Sequence, residues 1–160
     1  MKYINLLAII LATLTCVNAQ SSEMSEEEKD VYNVIVRMFD GMRAGDSSMV
    51  HGVFSDDLRM YSNFVDKDGN LRTQEGSMQR FLEAVGTPHD EVWDEQIWNT
   101  EVWLELGVAS VWTEYAFYRG DQFSHCGIDA FQLIKDEKGD WKILQIIDTR
   151  RTNDCDHKKE

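Results

Sequence analysis

From Val92 to Arg151 the sequence consists almost entirely of strand-length segments divided by turn residues, and this constrains the fold more than any other feature. "VWDEQIWNTEVWLEL" alternates along its length and breaks at Gly107. "VASVWTEYAFY", the turn "RGDQ", "FSHCGIDAFQLIK", the turn "DEKGD" and "WKILQIIDTRR" follow. Segments of this length, rich in β-branched and aromatic residues and joined by short polar turns, predict hairpin-linked antiparallel strands. The stretch before residue 92 has a different period. Ser25 and Glu28 form a capping box, and Val31, Val34, Ile35, Met38, Phe39 and Met42 then recur at helical spacing up to a stop at Gly45. Asp46 or Ser47 caps a second, short helix carrying Met49, Val50 and Val53. Leu58 to Ser62 reads as a first strand and "VDKDGN" as a turn. Thr73 or Gln74 begins a third helix, with Met78, Phe81, Leu82 and Val85, ended by Gly86 and Pro88. Each helix has one apolar stripe, so all three must cover the same face of the sheet. The expected class is α+β: three N-terminal helices packed on a strongly curved antiparallel sheet, whose bend leaves a conical cavity where a site can sit.

The first residues, "MKYINLLAIILATLTCVNAQ", have the layout of a signal peptide: a lysine, an apolar run and a small residue at Ala19. That run is shorter than the ~20 residues a spanning helix needs. The expected organisation is a signal peptide over 1–19, a polar lead over 20–25, the cone-fold domain over 26–151 and a polar tail over 152–160. The protein is therefore expected outside the cytoplasm, periplasmic or extracellular. Its formal net charge is −13, and loss of a leader with one lysine and no acid makes it one unit more negative. Such a surface repels nucleic acid and anionic lipid, which excludes both as partners once the leader is removed. Cys126 and Cys155 lie outside the leader. An oxidising compartment permits them to pair, but one sits mid-strand and the other in the tail, and sequence does not show whether they meet.

Metal and cofactor chemistry finds no pattern. Asp66, Asp68 and Asn70 match the first ligand positions of an EF-hand loop, but Leu71 stands where its glycine belongs and Ser77 where its bidentate glutamate belongs. His51, His89 and His157 have no ligand spacing. There is no Gly-x-Ser-x-Gly elbow and no glycine-rich phosphate loop. No metal and no cofactor is expected.

The strand "FSHCGIDAFQLIK" carries the site candidates. Phe123, His125, Gly127, Asp129, Phe131 and Leu133 share one face by alternation, and its large aromatics mark it as the concave side. His125 and Asp129 then point into the cone, with Gly127 leaving a gap in the wall between them. Four residues along a strand separate their Cα atoms by about 13 Å, too far for a direct dyad but suited to flanking a small ligand. On the preceding strand either Tyr115, or Trp112 with Glu114, joins that face. An odd-length loop or a bulge selects Tyr115, which is the expected member. Asp148 and Arg150 share a face of the last strand, where Arg150 serves either as a clamp for a ligand carboxylate or as a brace to an aspartate. Tyr61 and Trp98 are candidates for the mouth. The alternative for each residue is a structural role: a hydrogen-bonded core group or an ordinary packed aromatic.

The helix–helix–strand–helix–sheet order resembles the nuclear-transport-factor-two-like superfamily, also called the SnoaL-like or α+β cone fold, over roughly residues 26–151. "HCGIDAFQLIK", "GDWKI" and the closing "DTRR" are similar to a branch of small exported bacterial proteins of the lumazine-binding type. The resemblance implies a cone whose interior is a site. It does not fix a reaction, because this fold hosts isomerases, dehydratases, cyclases and plain binding modules. Three functions are compatible. The first is an exported module binding a small, partly apolar molecule. The second is an isomerase- or dehydratase-type enzyme with Asp129 as proton acceptor and His125 or Tyr115 stabilising an oxyanion. The third is a homodimeric interaction domain with a filled pocket, joined through Ile128, Ala130, Leu144 and Ile146 on the outer sheet face.

Overall fold

The capping box read at Ser25 is present: its hydroxyl accepts from the Glu28 N–H, and the Glu28 carboxylate accepts from the Ser25 N–H. It opens α1 (Glu26–Ala44), which closes on Gly45 in the left-handed conformation at φ 65°. Asp46 caps α2 (Ser47–His51) by accepting from the backbone N–H groups of Ser48 and Met49. The chain continues through β1 (Phe54–Val65), β2 (Leu71–Glu75), α3 (Met78–Gly86), β3 (Trp93–Glu105), β4 (Val108–Arg119), β5 (Gln122–Lys135) and β6 (Trp141–Arg150). This is a computed structural model, and it describes residues 23–155. The expected signal peptide and the last residues of the tail, His157 among them, lie outside the described residues.

The six strands form one sheet in the order β2-β1-β6-β5-β4-β3. Every neighbouring pair is antiparallel except β1 with β6, which run parallel. A parallel pair needs a long connection, and the whole segment from β2 to β5 supplies it. The apolar stripe of α1 (Val31, Ile35, Met38, Phe39, Met42) is buried against Val111, Phe131, Leu133, Ile143 and Ile146 on one sheet face, with Val50 and Val85 from α2 and α3 in the same cluster. That is the α+β cone expected from the helical and strand periods.

Three local expectations need correction. Residues 71–75 are a strand, not the start of the third helix. All five are exposed, so they carry no burial pattern, and they are held to β1 by backbone pairing and by a 2.6 Å bond from Thr73 Oγ1 to Asn63 Oδ1. Helix α3 begins only after Ser77, which caps it. Phe123 does not share the His125 face, because Phe117 pairs with His125 whereas Tyr118 pairs with Phe123. A β-bulge at Ser124 thus breaks the alternation. Ile146 is not on the outer face: Gln132 pairs with Gln145 and Leu133 with Ile143, so an extra residue at Leu144 turns both Ile143 and Ile146 into the core. Cys126 and Cys155 are joined by a disulfide with Cα atoms 6.0 Å apart, next to an isolated bridge between Cys126 and Arg151. The tail therefore folds back along the outer side of β5.

Candidate functional site: a carboxyl-lined chamber inside the cone

The register of β4 on β5 pairs Tyr115 with Gly127, Phe117 with His125 and Thr113 with Asp129. Tyr115 therefore stands on the His125 side. The Gly120–Asp121 turn between paired Arg119 and Gln122 is even in length, so the Ser124 bulge is what selects this face. Tyr115 and His125 meet edge to face at 5.6 Å between ring centres, and the Phe117 ring centre lies 5.2 Å from that of the imidazole. The Tyr115 hydroxyl donates to the Thr149 carbonyl at 2.9 Å, which commits its proton to the backbone.

Gly127 does not open a gap. A Cβ built there would fall 1.8 Å from the Thr149 carbonyl oxygen and 2.7 Å from its carbonyl carbon. The backbone of β6 occupies that space, and glycine permits the approach. The Thr149 hydroxyl accepts from the Ile128 N–H at 3.0 Å, completing the seam.

Beyond this seam lies a small chamber of about 70 Å³. Its polar lining is Glu95, Tyr115, His125, Asp129, Asp148 and Arg150; Met38, Phe39, Met42, Met60, Phe81, Phe131 and Ile146 complete the wall. The chamber shares Met60, Phe81, Ile146, Asp148 and Arg150 with a groove of about 430 Å³ between α3 and the β1–β2 side of the sheet. It shares His125 and Arg150 with an outer cleft of about 740 Å³ walled by Arg151, Thr152 and Asn153. Arg150 stands where all three meet. Its Nε donates to Asp148 Oδ2 at 2.6 Å, and Asp148 Oδ1 also accepts from Ser62 Oγ at 2.6 Å. Arg150 is thus both the brace read from the sequence and a wall of all three of these cavities.

Glu95 is the site residue the sequence reading missed. It comes from β3, where Arg43 of α1 donates to Asp94 Oδ1 at 2.9 Å and to the Glu95 carbonyl at 3.3 Å, tying the strand to the helix. Its carboxyl hydrogen-bonds to that of Asp129. A signal was present. Trp93, Glu95 and Ile97 alternate on the face that packs on the core, so Glu95 is the charged member of an apolar row.

Burial governs the proton affinities here. It pushes Glu95 up to about 7, with the Asp129 hydrogen bond pulling the other way and the Asp148 charge adding to the rise. It also raises Asp129 well above the ordinary carboxyl range, helped by the charge and hydrogen bond of Glu95. Burial, reinforced by Arg150, pulls His125 down to about 4, so the imidazole is neutral at neutral pH. Tyr115 is pushed up by burial and by the Glu95 and Asp129 charges. Burial opposes the Arg150 charge, but Asp148 outweighs it and holds the guanidinium fully protonated.

Two expected mouth residues are elsewhere. Tyr61 lies between Met60 and Ser62, which both line the groove, so it points to the opposite face. Trp98 pairs with Glu114, donates to its carboxylate at 3.0 Å and packs with Ala116, Tyr118 and Cys126 on the outer face. Of the six ligand-site candidates, His125, Asp129, Tyr115 and Arg150 come together around the chamber, and Tyr61 and Trp98 do not.

Residues 26–146 match the sequence family described as "Putative lumazine-binding". No curated protein matches the chain in sequence. Several solved structures share its fold. A nuclear-transport-factor-two-like protein of unknown function from Shewanella baltica superposes with a TM-score of 0.61 at 18% identity, covering 82% of this chain and 100% of its own. A protein of unknown function from Mycobacterium tuberculosis gives 0.63 at 16% identity, over 81% of this chain and 79% of its own. A ketosteroid isomerase-like protein from Erwinia carotovora gives 0.56 at 14% identity, over 81% and 99%. At these identities the likeness is one of fold.

Proposed function

Because this chain belongs to the family described as "Putative lumazine-binding", we propose that it is an exported small-molecule-binding domain whose ligand lies in the α3 groove and reaches the chamber past Arg150. The observation that carries this reading is the meeting of three cavities at one arginine, with buried carboxyls on the inner side and apolar side chains around them. The groove's volume falls within the ~300–1,000 Å³ usual for small-molecule sites, and the chamber's falls below it. The body of the ligand therefore occupies the groove against Met60, Phe64 and Phe81, and only a polar head enters the chamber. A thermal-shift screen of drug-sized fragments tests this. Hits should raise the melting temperature of the wild type and lose their effect in Ala84→Trp, which fills the groove. Hits that bind Ala84→Trp equally well would move the site elsewhere.

An enzyme is the second reading, favoured by the Glu95–Asp129 pair, which holds a proton where a bound substrate would meet it. In this reading Asp129 acts with Glu95. The Tyr115 proton is already committed to Thr149, which leaves His125 to meet a developing oxyanion. Turnover of any fragment hit that disappears in Asp129→Asn would favour the enzyme over the binder.

A homodimer through the outer face completes the proposal. Trp103 and Trp112 are 57% and 48% exposed. Large apolar side chains exposed on one sheet face suit a partner surface. Sedimentation of the wild type and of Trp112→Glu should show a dimer only in the former.

A further inference from the structure

We propose that the head group received by the chamber is a protonated nitrogen base, an amine or amidinium, whose N–H is accepted by Oδ2 of Asp129. This rests on the binding reading above and specifies its ligand. Three observations carry it.

The first is an orphaned acceptor. Asp129 is 3% exposed and lines the chamber, and its Oδ2 has no hydrogen-bond partner among the described residues. A buried acceptor left unpaired is costly to the fold, and a ligand donor would recover that cost.

The second is the balance of charge. The groups that face the Glu95–Asp129 pair are Tyr115 from β4, His125 from β5, and Asp148 and Arg150 from β6, with Arg43 of α1 acting on Glu95 from outside. Tyr115 and His125 are neutral at neutral pH. Arg150 is taken up by Asp148, with contacts of 2.6 and 3.4 Å. Arg43 is held by Asp40 and Asp94, each at 2.9 Å. Among the described residues that line the chamber, an anionic head would meet three carboxyl groups and no uncommitted cation. A cationic head supplies what the chamber lacks.

The third is the wall. Phe39, Phe81 and Phe131, with Met38, Met42 and Met60, enclose the polar groups. Aromatic faces and thioethers attract an organic cation, whereas they offer nothing to a carboxylate.

Protons are linked to binding. Asp129 is held well above the ordinary carboxyl range and Glu95 is pushed up to about 7, so as pH falls through about 7 the pair takes up a proton that a bound cation must displace to solvent. Affinity then falls by about tenfold per pH unit below that point, the slope of one linked proton.

The test uses three isosteric probes, benzamidine, benzamide and benzoate, titrated calorimetrically into the disulfide-bonded protein between pH 5.5 and 8.5. Benzamidine should bind most tightly at pH 8, with affinity falling as pH is lowered. Asp129→Asn and Glu95→Gln should each weaken it at least tenfold at pH 8 and flatten the pH dependence. Circular dichroism checks the fold of both, and if Asp129→Asn does not fold, Glu95→Gln carries the test. The inference is overturned if benzamide or benzoate binds as tightly as benzamidine, or if the pH slope survives in the variant. Either result, where Ala84→Trp still abolishes binding, leaves the groove reading standing. If none of the probes binds, the nitrogen-base inference falls, and the fragment screen then decides the binding reading separately.

Discussion

The carboxyl groups of Glu95 and Asp129 are hydrogen-bonded although β4 runs between their strands. Neighbouring strands lie about 4.8 Å apart, so a flat sheet would hold these backbones roughly 10 Å from each other, and not on the same rung. Glu95 is level with Phe117, whereas Asp129 is level with Thr113. Concave bending and the reach of a glutamate side chain close the distance.

This pair and His125 act on stability in opposite directions. Glu95 has a folded pKa raised from 4.5 to about 7, so the folded state keeps a proton that the unfolded chain releases. Its contribution is full below about 4.5 and is lost as pH rises to about 7. His125 is depressed from 6.5 to about 4, so its contribution is full above 6.5 and is lost as pH falls to about 4. Relative to wild type, Glu95→Gln should gain stability as pH rises through the first window. His125→Asn should gain as pH falls through the second. Each change has an upper slope of about 1.4 kcal/mol per pH unit. Urea denaturation at a series of pH values checks both signs.

Gly127→Ala should be strongly destabilising although it adds one methyl group. The new Cβ would sit 1.8 Å from the Thr149 oxygen, a backbone atom that also receives the Tyr115 hydroxyl. Overpacking costs about 1–3 kcal/mol and more where backbone must shift. Chemical denaturation should place the variant at or beyond the top of that range. A cost below 0.5 kcal/mol would show that β6 can move away freely.

Loss of the Cys126–Cys155 bond should cost about 3–4 kcal/mol through the entropy of the unfolded chain, given its sequence separation of 29. Because residues 151–153 wall the outer cleft, Cys155→Ser should also raise hydrogen exchange at Arg151 and in its bridge to Cys126. Exchange there unchanged from wild type would mean that the backbone bridge alone holds the tail.

Removing the Tyr115 hydroxyl leaves the Thr149 carbonyl without that donor inside a closed seam. Tyr115→Phe should cost about 1–2 kcal/mol, measured by thermal or urea unfolding. The cost should be smaller in a Gly127→Ala background, where the seam is already displaced, and a double-mutant cycle reads this coupling.

How far the site was legible follows from where each signal lies. His125 and Asp129, and Arg150 with Asp148, were readable because alternation within a strand states which residues share a face, whereas Tyr115 was readable only as one of two alternatives set by the hairpin register. Glu95 was overlooked although its row, Trp93 and Ile97 around one charge, was in plain view. Its partner, however, could not be read, since nothing local says that two strands separated by a third will bring side chains together. Phe123 and Ile146 were misplaced for one reason. A bulge adds a residue without changing composition, and each bulge reverses the faces beyond it. The same kind of irregularity, at Ser124, is what put Tyr115 on the chamber side. Strand β2 left no trace because a short, fully exposed edge strand has no buried face to impose a pattern.

By itself the sequence determined the local rules: the capping box at Ser25, the stop at Gly45, the apolar stripe of α1 and the hairpin run from Val92 onward. These depend on backbone hydrogen bonds and side-chain periods a few residues long. Tertiary structure alone decided that Thr149 fills the space beside Gly127, that Cys155 returns to Cys126, and that Glu95 and Asp129 share one enclosed chamber. Each of these is a meeting of distant segments, set by the curvature and bulges of the sheet, and sheet curvature is a property of the whole packed layer rather than of any stretch of chain.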